Sequence, residues 1–212
     1  MVKAVIFDLD GVLVSTDEMH FKAWSRLAEE IGITNFTKED NIRQRGVSRM
    51  KSLEIVLEKS DKTYTEAEKE EFAARKNGYY CEMLEELTPN DVLPGALDFL
   101  KFLKANNIKT ALGSASKNAP LILEKTALSK YLDAISCGLD VTKSKPDPEV
   151  FLVAAKKLGI APEDCVVVED AHAGIQAAKN GNMYAFAVGA AYGDELADFS
   201  AKTLASLECI IK

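Results

Sequence analysis

Two aspartates separated by one residue follow directly on an apolar run at the start of the chain. Residues 5–7 are Val, Ile and Phe, and they lead into Asp8, Asp10 and Gly11. Such a run predicts a strand buried on both faces of a parallel sheet, and ligands bind at the carboxyl ends of these strands. Two carboxylates this close repel, so a cation or hydrogen-bond donors must compensate their charge. The pair suggests a metal site, although on its own it fits a strand end and turn equally well.

Three later segments place polar or charged side chains after predicted strands. Residues 113–118 read Gly-Ser-Ala-Ser-Lys-Asn and enter a helix, which suits an anion. Residues 143–148 read Lys-Ser-Lys-Pro-Asp-Pro, and their prolines restrict the backbone around Lys145. Glu169 and Asp170 end another apolar run and supply the hard oxygen ligands that Mg²⁺ prefers. Taken singly, these segments also fit helix caps and a solvated lysine.

The elements that position these residues alternate between strand and helix patterns. Such alternation predicts an α/β fold, a doubly wound parallel (Rossmann-like) sheet. After the first strand we expect strands at residues 108–112, 134–137, 165–168 and 184–188. We expect helices at residues 96–105, 117–126, 148–158 and 173–180, and we expect His172 to be an exposed first-turn residue of the last of them.

Residues 14–87 show a different pattern, with helical spacing and no convincing strand. Helices are predicted from about residue 18 to Gly32, at 52–58 and at 65–87, the last with an apolar stripe of Phe72, Tyr79, Met83 and Leu87. Trp24 joins the stripe of the first helix as packing. Charged residues of both signs alternate through the span, as on the exposed faces of a small helical bundle. We therefore expect an inserted all-α cap domain at 14–87 and a core domain at 1–13 and 88–212.

Composition limits the classes of partner. The chain has 212 residues, 47% of them hydrophobic, and a net charge of -7, and no basic run reaches the density of a nucleic-acid patch. It starts without a basic segment followed by an apolar stretch and has no apolar run of membrane-spanning length. We therefore expect a cytoplasmic protein with no nucleic-acid or membrane partner. The widely spaced Cys81, Cys137, Cys165 and Cys209 predict reduced, mostly buried thiols.

The string Phe-Asp-Leu-Asp-Gly-Val-Leu after the first strand resembles the first motif of the haloacid dehalogenase superfamily, and the three later segments resemble its other motifs in order. By that resemblance Asp8 is a nucleophile that forms an aspartyl-phosphate, and Asp10 is the general acid/base. Ser114 belongs to the second motif, and Lys145 neutralises the transferring phosphoryl group. The implied cofactor is Mg²⁺, held by carboxylates of Asp8, Glu169 and Asp170 and by the backbone carbonyl of Asp10.

Within that superfamily the resemblance narrows to a phosphomutase branch, through residues of the cap. It implies that Arg49, Ser116, Lys117 and Asn118 grip the phosphate that is not transferred, beside Ser114 and Ala115. Gly46, Val47 and Ser48 are implied to line the sugar pocket. Thr16, His20 and Lys76 are implied to act with Asp10 when the cap closes, although each of the last two could instead be an ordinary helix residue.

The reaction implied by this branch is interconversion of β-D-glucose 1-phosphate and D-glucose 6-phosphate through a β-glucose 1,6-bisphosphate. The alternative is a Mg²⁺-dependent sugar-phosphate phosphatase on the same core. A phosphonate hydrolase lacks its supporting pattern here, and a silent binding module is disfavoured by intact Asp8, Asp10, Lys145 and Asp170. The expected partners are small sugar phosphates, and the expected state is a monomer.

Overall fold

A parallel sheet forms the centre of the molecule. The computed structural model describes residues 2–205. Its strands are β1 (Ala4–Phe7), β2 (Lys109–Gly113), β3 (Ala134–Ser136), β4 (Cys165–Glu169), β5 (Tyr184–Ala187) and β6 (Phe199–Ser200). They are hydrogen-bonded in the order β3-β2-β1-β4-β5-β6, and every pair is parallel. The predicted parallel α/β sheet is confirmed.

The helices fall into two groups along the chain. Between the first two strands lie α1 (Asp17–Glu30), α2 (Lys38–Arg43), α3 (Arg49–Leu57), α4 (Glu66–Leu84) and α5 (Ala96–Ala105). The later ones are α6 (Ala119–Lys125), α7 (Glu149–Leu158) and α8 (His172–Asn180). Short 3-10 turns occupy Pro89–Asp91, Ser129–Tyr131, Pro162–Asp164 and Gly189–Ala191.

Helices cover both faces of the sheet because the side chains of each strand alternate in direction. On one face, Val5 and Phe7 pack with α5 and α6, whereas on the other Ala4 and Ile6 pack with α7 and α8. The sheet is therefore doubly wound, as predicted. With both faces buried, the free carboxyl edge is where β1, β2 and β4 can present polar residues to a ligand.

Helices α1, α3 and α4 share an apolar cluster of their own, built around Trp24, Leu27, Leu53 and Val56. It confirms Trp24 as a packing residue. The predicted stripe of α4 was partly wrong, because the fully buried positions are Tyr80 and Leu84, while Tyr79 and Met83 lie at the edge. Positions 76, 80 and 84 follow one another at intervals of four residues, so the buried face is centred on them, and Tyr79 and Met83 flank it.

Two elements were missed by sequence reasoning. Helix α2 is only six residues long and begins with a capping box, in which Thr37 and Asp40 bond to each other's backbone N–H. Its signal, Thr-x-x-Asp, was present in the sequence. Strand β6 has two residues, too few for a period. Helix α4 also ends at Leu84 rather than at residue 87.

Several smaller expectations concern single residues. Cys137 and Cys165 are buried free thiols and Cys81 is a half-buried one, whereas Cys209 lies outside the described residues. The exposed position of His172 is confirmed, and its Nδ1 lies 2.7 Å from Asp194 Oδ2. Over residues 2–205, the helices include none with the length and apolar character needed to cross a bilayer.

Candidate active site

The ends of three strands bring the sequence motifs to one edge of the sheet. The backbone N–H of Asp8 donates to Val168 at 2.9 Å, so the first motif lies directly beside the last residues of β4. On the other side, the N–H of Ser114 donates to Ser136 at 3.0 Å. Asp8, Glu169 and Ser114 are all buried there. The parallel register therefore gathers residues that are far apart in the chain.

Lys145 is a completely buried lysine that connects two of these carboxylates. Its Nζ donates to Asp8 Oδ1 at 2.5 Å and also to Glu169 Oε1. Burial lowers the pKa of Lys145, but attraction to Asp8 and then to Glu169 outweighs that effect and raises it. The ammonium therefore stays charged and offsets part of the negative charge at Asp8.

The carboxylates of Asp8, Glu169 and Asp170 form one acidic cluster, with ligand atoms within 4.8 Å of one another. Burial, followed by repulsion from Glu169 and Asp8, raises the pKa of Asp170 to about 8. Burial likewise raises the pKa of Glu169 to about 7 against the effect of Lys145. The raised pKa values of Asp170 and Glu169 indicate that the single positive charge of Lys145 does not balance the negative charge of the three carboxylates. A hard divalent cation fits both the oxygen donors and that excess charge.

Gly11 permits this cluster to form. Its φ is +79°, and a Cβ added there would lie 2.1 Å from Asp170 Oδ2. Any side chain would therefore displace the Asp170 carboxylate, in addition to the strain of the left-handed backbone.

Asp10 is held by the start of α1 rather than by the acidic cluster. The backbone N–H of Thr16 donates to Asp10 Oδ1 at 2.6 Å and its hydroxyl donates to Oδ2 at 2.8 Å. The Thr16 hydroxyl also lies 2.7 Å from the Tyr80 hydroxyl. Burial raises the pKa of Asp10 to about 6 although the Thr16 bonds lower it. A carboxyl group in that range can both accept and return a proton near neutral pH.

His20 of α1 and Lys76 of α4 continue the same network. Lys76 Nζ lies 2.7 Å from His20 Nδ1, and His20 Nε2 lies 3.9 Å from Asp10 Oδ2. Burial and then Lys76 lower the pKa of His20 well below its ordinary value, so the ring is neutral at pH 7. Because Nδ1 faces the ammonium, the ring proton belongs on Nε2, toward Asp10. Burial and then Arg49 lower the pKa of Lys76 to about 7.

The loop after β2 contains a chain of short-range hydrogen bonds. The Ser114 hydroxyl accepts from the N–H of Ser116, whose hydroxyl accepts from the N–H of Asn118. The side-chain amide of Asn118 donates to Asn77 of α4 at 2.9 Å. This contact joins the sheet to the cap directly. Ala115 and Lys117 line the same cleft.

Arg49 stands out among the cationic side chains of the cleft. The cleft has a volume of about 1200 Å³, and its lining includes Gly46, Val47, Ser48, Arg49 and the whole acidic cluster. Within residues 2–205 the guanidinium of Arg49 has no hydrogen bond or ion pair, whereas Arg45 is paired with Asp17 at 2.9 Å. Burial lowers the pKa of Arg49, and its charge acts on His20 and Lys76. An unpaired, partly buried guanidinium facing a cleft is suited to an anionic ligand.

A family model described as haloacid dehalogenase-like hydrolase matches residues 2–182, and so includes all of these residues. The chain belongs to this family. The resemblance first seen in the motifs around Asp8 and Lys145 is thereby confirmed.

Individual relatives within the family differ in described activity. The chain is 47% identical to a β-phosphoglucomutase of Bacillus subtilis over 89% of this chain and 84% of the relative. It is 34% identical to a phosphorylated carbohydrates phosphatase of Thermotoga maritima, over 86% and 82%. A crystal structure of β-phosphoglucomutase from Clostridium difficile matches with a TM-score of 0.92 and 40% identity, covering 98% of this chain and 94% of that one.

Two residues of the cleft, Tyr80 and Arg45, were not foreseen from the sequence. Tyr80 supports Thr16 and stacks on His20 with ring centroids 4.0 Å apart. Arg45 and Asp17 form an ion pair at the edge of the cleft. The signal for Tyr80 was its place four residues after Lys76, on the same helical face. The pairing of Arg45 with Asp17 depends on a turn between α2 and α3, which no local pattern indicates.

Proposed function

We propose that this protein interconverts β-D-glucose 1-phosphate and D-glucose 6-phosphate, as a β-phosphoglucomutase. The observation that carries the proposal is the presence of two separate cationic features in one cleft. Lys145 is bound to Asp8, and Arg49 has no partner among residues 2–205. A bisphosphate needs a site for the phosphate that reacts and another for the phosphate that is held. The 47% identity with the Bacillus subtilis mutase supports the same activity.

Asp8 is the proposed nucleophile. A carboxylate oxygen of Asp8 attacks phosphorus of a sugar bisphosphate, the bond from phosphorus to the sugar oxygen breaks, and an aspartyl-phosphate forms. Lys145 stays charged beside Asp8 and stabilises the negative charge of the transferring group. The sugar monophosphate leaves, and in the reverse step a sugar hydroxyl recovers the phosphoryl group from Asp8.

Asp10 is the proposed general acid/base. It protonates the departing sugar oxygen, and in the reverse step it accepts the proton of the attacking hydroxyl. Thr16 holds both oxygens of Asp10, and the proton of His20 Nε2 faces it from the cap. We propose that Lys76 fixes His20 in the tautomer that this contact requires. These cap residues therefore orient Asp10 without reacting themselves.

The cofactor of this proposal is Mg²⁺. Asp8, Glu169 and Asp170 would hold it with carboxylate oxygens, and Asp10 with its backbone carbonyl. When bound, the ion offsets the repulsion between the phosphate oxygens and the attacking carboxylate.

The remaining groups of the cleft are proposed to recognise substrate. Arg49 would hold the phosphate that is not transferred, together with the donors of the loop after β2: Ser114, Ala115, Ser116, Lys117 and Asn118. Gly46, Val47 and Ser48 would line the sugar. The domain boundaries at 13/14 and 87/88, the monomeric state and the cytoplasmic location stay predictions of the same proposal.

One assay separates this activity from the phosphatase alternative, for which the 34% identity with a carbohydrate phosphatase is the supporting observation. The protein, Mg²⁺ and a trace of glucose 1,6-bisphosphate are incubated with β-glucose 1-phosphate, and glucose 6-phosphate and inorganic phosphate are followed together. A mutase forms glucose 6-phosphate in large excess over phosphate, whereas phosphate release alone would establish the phosphatase. Asp8→Asn is the control and should form neither product, because an amide is a far poorer nucleophile.

A further inference from the structure

Asp17 lies between Asp10, the proposed general acid/base, and residues 44–49. We call these residues the substrate loop, because they contain the proposed sugar pocket and Arg49. It is the first residue of α1 and directly follows Thr16, whose N–H and hydroxyl bind Asp10. Its own carboxylate accepts at both oxygens, from Asn41 Nδ2 at 3.0 Å and from Arg45 Nη2 at 2.9 Å. Thr16 therefore bonds to Asp10, whereas the next residue, Asp17, bonds to Asn41 and Arg45.

Asn41 and Arg45 lie on either side of the turn that ends α2. This turn continues through Gly46, Val47 and Ser48 into α3, where Arg49 is the first helical residue. Asn41 is buried, whereas the Asp17 and Arg45 side chains are 37% and 31% exposed at the rim of the cleft. Asp17 thus fixes the segment that contains the proposed sugar pocket and Arg49.

Arg45 has other carboxylates within electrostatic reach. The Asp17 hydrogen bond is the largest influence that raises the pKa of Arg45, and Asp170 and Asp10 act on it in the same direction. Its guanidinium therefore lies in the field of the acidic cluster, and Asp17 is the group that keeps it at the rim. Without Asp17 this cation would be free to move toward the acidic cluster.

We propose that Asp17 is a positioning residue that couples the substrate loop, residues 44–49, to Asp10 through its contacts with Arg45 in that loop and with Asn41 in the helix before it. The inference rests on the proposed function for its substrate. Asp17 itself touches neither Asp8 nor Asp10 among the described contacts. Its effect should therefore appear in recognition of the sugar phosphate and not in the reactivity of Asp8.

The test compares Asp17→Ala with Glu18→Ala. Glu18 is the next residue of α1, and its ion pair with Lys38 of α2 at 3.5 Å is exposed, so it is a matched control for charge and helix position. We expect Asp17→Ala to raise KM for β-glucose 1-phosphate by about tenfold, because the loop must be ordered when substrate binds. Phosphorylation of Asp8 by a small acyl phosphate, which has no sugar, should stay within about twofold of wild type. Glu18→Ala should leave both quantities within about twofold.

Arg45→Ala tests the same contact from the other partner and covers the case in which Asp17→Ala folds poorly. In the Arg45→Ala background, Asp17→Ala should have a smaller effect on KM than in wild type, because the two residues share one contact. High salt should raise the KM of wild type by a larger factor than that of Asp17→Ala, because only wild type has this rim ion pair to lose.

The proposal is overturned if Asp17→Ala and Glu18→Ala behave alike, or if Asp17→Ala slows acyl-phosphate turnover as much as sugar-phosphate turnover. The latter result would mean that Asp17 acts on the fold or on Asp8. If wild type forms no glucose 6-phosphate, the proposed function fails separately. The variants are then compared by how strongly glucose 6-phosphate inhibits acyl-phosphate turnover, and equal inhibition in all of them overturns the role of Asp17.

Discussion

Asp10 is a carboxyl group whose surroundings suit it to proton transfer at neutral pH. Burial raises its pKa to about 6, and Thr16 holds both of its oxygens. We predict that Asp10→Asn slows turnover by about 10² or more, since that is the usual loss when a general acid/base is removed. Metal affinity should change little, because the backbone carbonyl of Asp10 is the proposed ligand. Turnover rates and calorimetric titration with Mg²⁺ check the two parts, and full activity in this variant would place the acid/base elsewhere.

Lys76 is a buried residue whose lowered pKa makes the free energy of unfolding depend on pH. Burial lowers its pKa from 10.5 to about 7 in the folded protein. Between these pH values the unfolded chain binds more protons, so stability rises with pH. We predict that the free energy of unfolding of wild type increases relative to Lys76→Met as the pH is raised from 7 to about 10.

Urea denaturation at several pH values measures this difference. Lys69→Met is a matched control on the same helix, because Lys69 is paired with Glu54 at the surface and its pKa is raised rather than lowered. A pH-independent difference between wild type and Lys76→Met would contradict the lowered pKa.

At the scale of the elements, the connection after β1 decides whether the acidic cluster can form. Gly11 has φ +79° and no room for a Cβ beside Asp170, whereas Gly32 has φ +84° and nothing within 4 Å. Gly11→Ala and Gly32→Ala therefore share the backbone strain, which costs about 1 kcal/mol or more, and differ only in the contact. We predict that Gly11→Ala weakens Mg²⁺ binding by at least about tenfold and that Gly32→Ala leaves it unchanged.

Equal loss of metal affinity in the two glycine variants would show that backbone strain, and not displacement of Asp170, is responsible. Thermal unfolding of both proteins without metal separates the two effects. The shared strain should lower both melting temperatures by similar amounts, and the added clash should lower that of Gly11→Ala further.

The sequence predicted β1 to β5 well because each contains a short apolar run, which a polar motif follows in β1, β2 and β4. Asp8, Ser114 and Glu169 each come at the end of such a run, and a parallel sheet must bring those ends together. The cap was harder to predict. The stripe of α4 was offset at Tyr79, because Tyr79 lies in line with Phe72, whereas the buried face is centred on the line of Lys76, Tyr80 and Leu84. The ion pair of Arg45 depends on a turn that tertiary contacts determine.

At the scale of the whole molecule, helices α1 to α4 and the carboxyl edge of the sheet each supply part of one cleft. Asn77 of α4 binds Asn118 of the loop after β2, and His20 of α1 faces Asp10. The protein has a net charge of -7, yet Arg49, Lys117 and Lys145 are among the residues of the site. Arg49 and Lys117 therefore offer local attraction to a phosphate group although the molecule as a whole repels a doubly negative substrate.

Arg49 is the first residue of α3 and lies on the side of the cleft opposite the sheet. A phosphate held there, away from Asp8, would draw helices α1 to α4 toward the sheet. Binding energy at Arg49 would then be used at Asp8 and Asp10, by excluding water and aligning the proton donor. A water molecule that attacks the aspartyl-phosphate carries no phosphate group, so it gains nothing from Arg49. We predict that Arg49→Ala lowers glucose 6-phosphate formation by about 10² or more, while hydrolysis of the aspartyl-phosphate stays within about twofold of wild type.

Two further variants make this prediction specific. Arg49→Lys should recover only part of the mutase rate, because an ammonium lacks the two parallel donors of a guanidinium. Arg43→Ala is the matched control, since Arg43 is an exposed cap arginine paired with Glu58 at 2.8 Å, and it should leave both rates unchanged. Glucose 6-phosphate and inorganic phosphate are measured in the same preparations. If the two rates fell together in Arg49→Ala, Arg49 would be supporting the fold or the nucleophile, because a residue that holds only the distant phosphate has no means of slowing the attack of water.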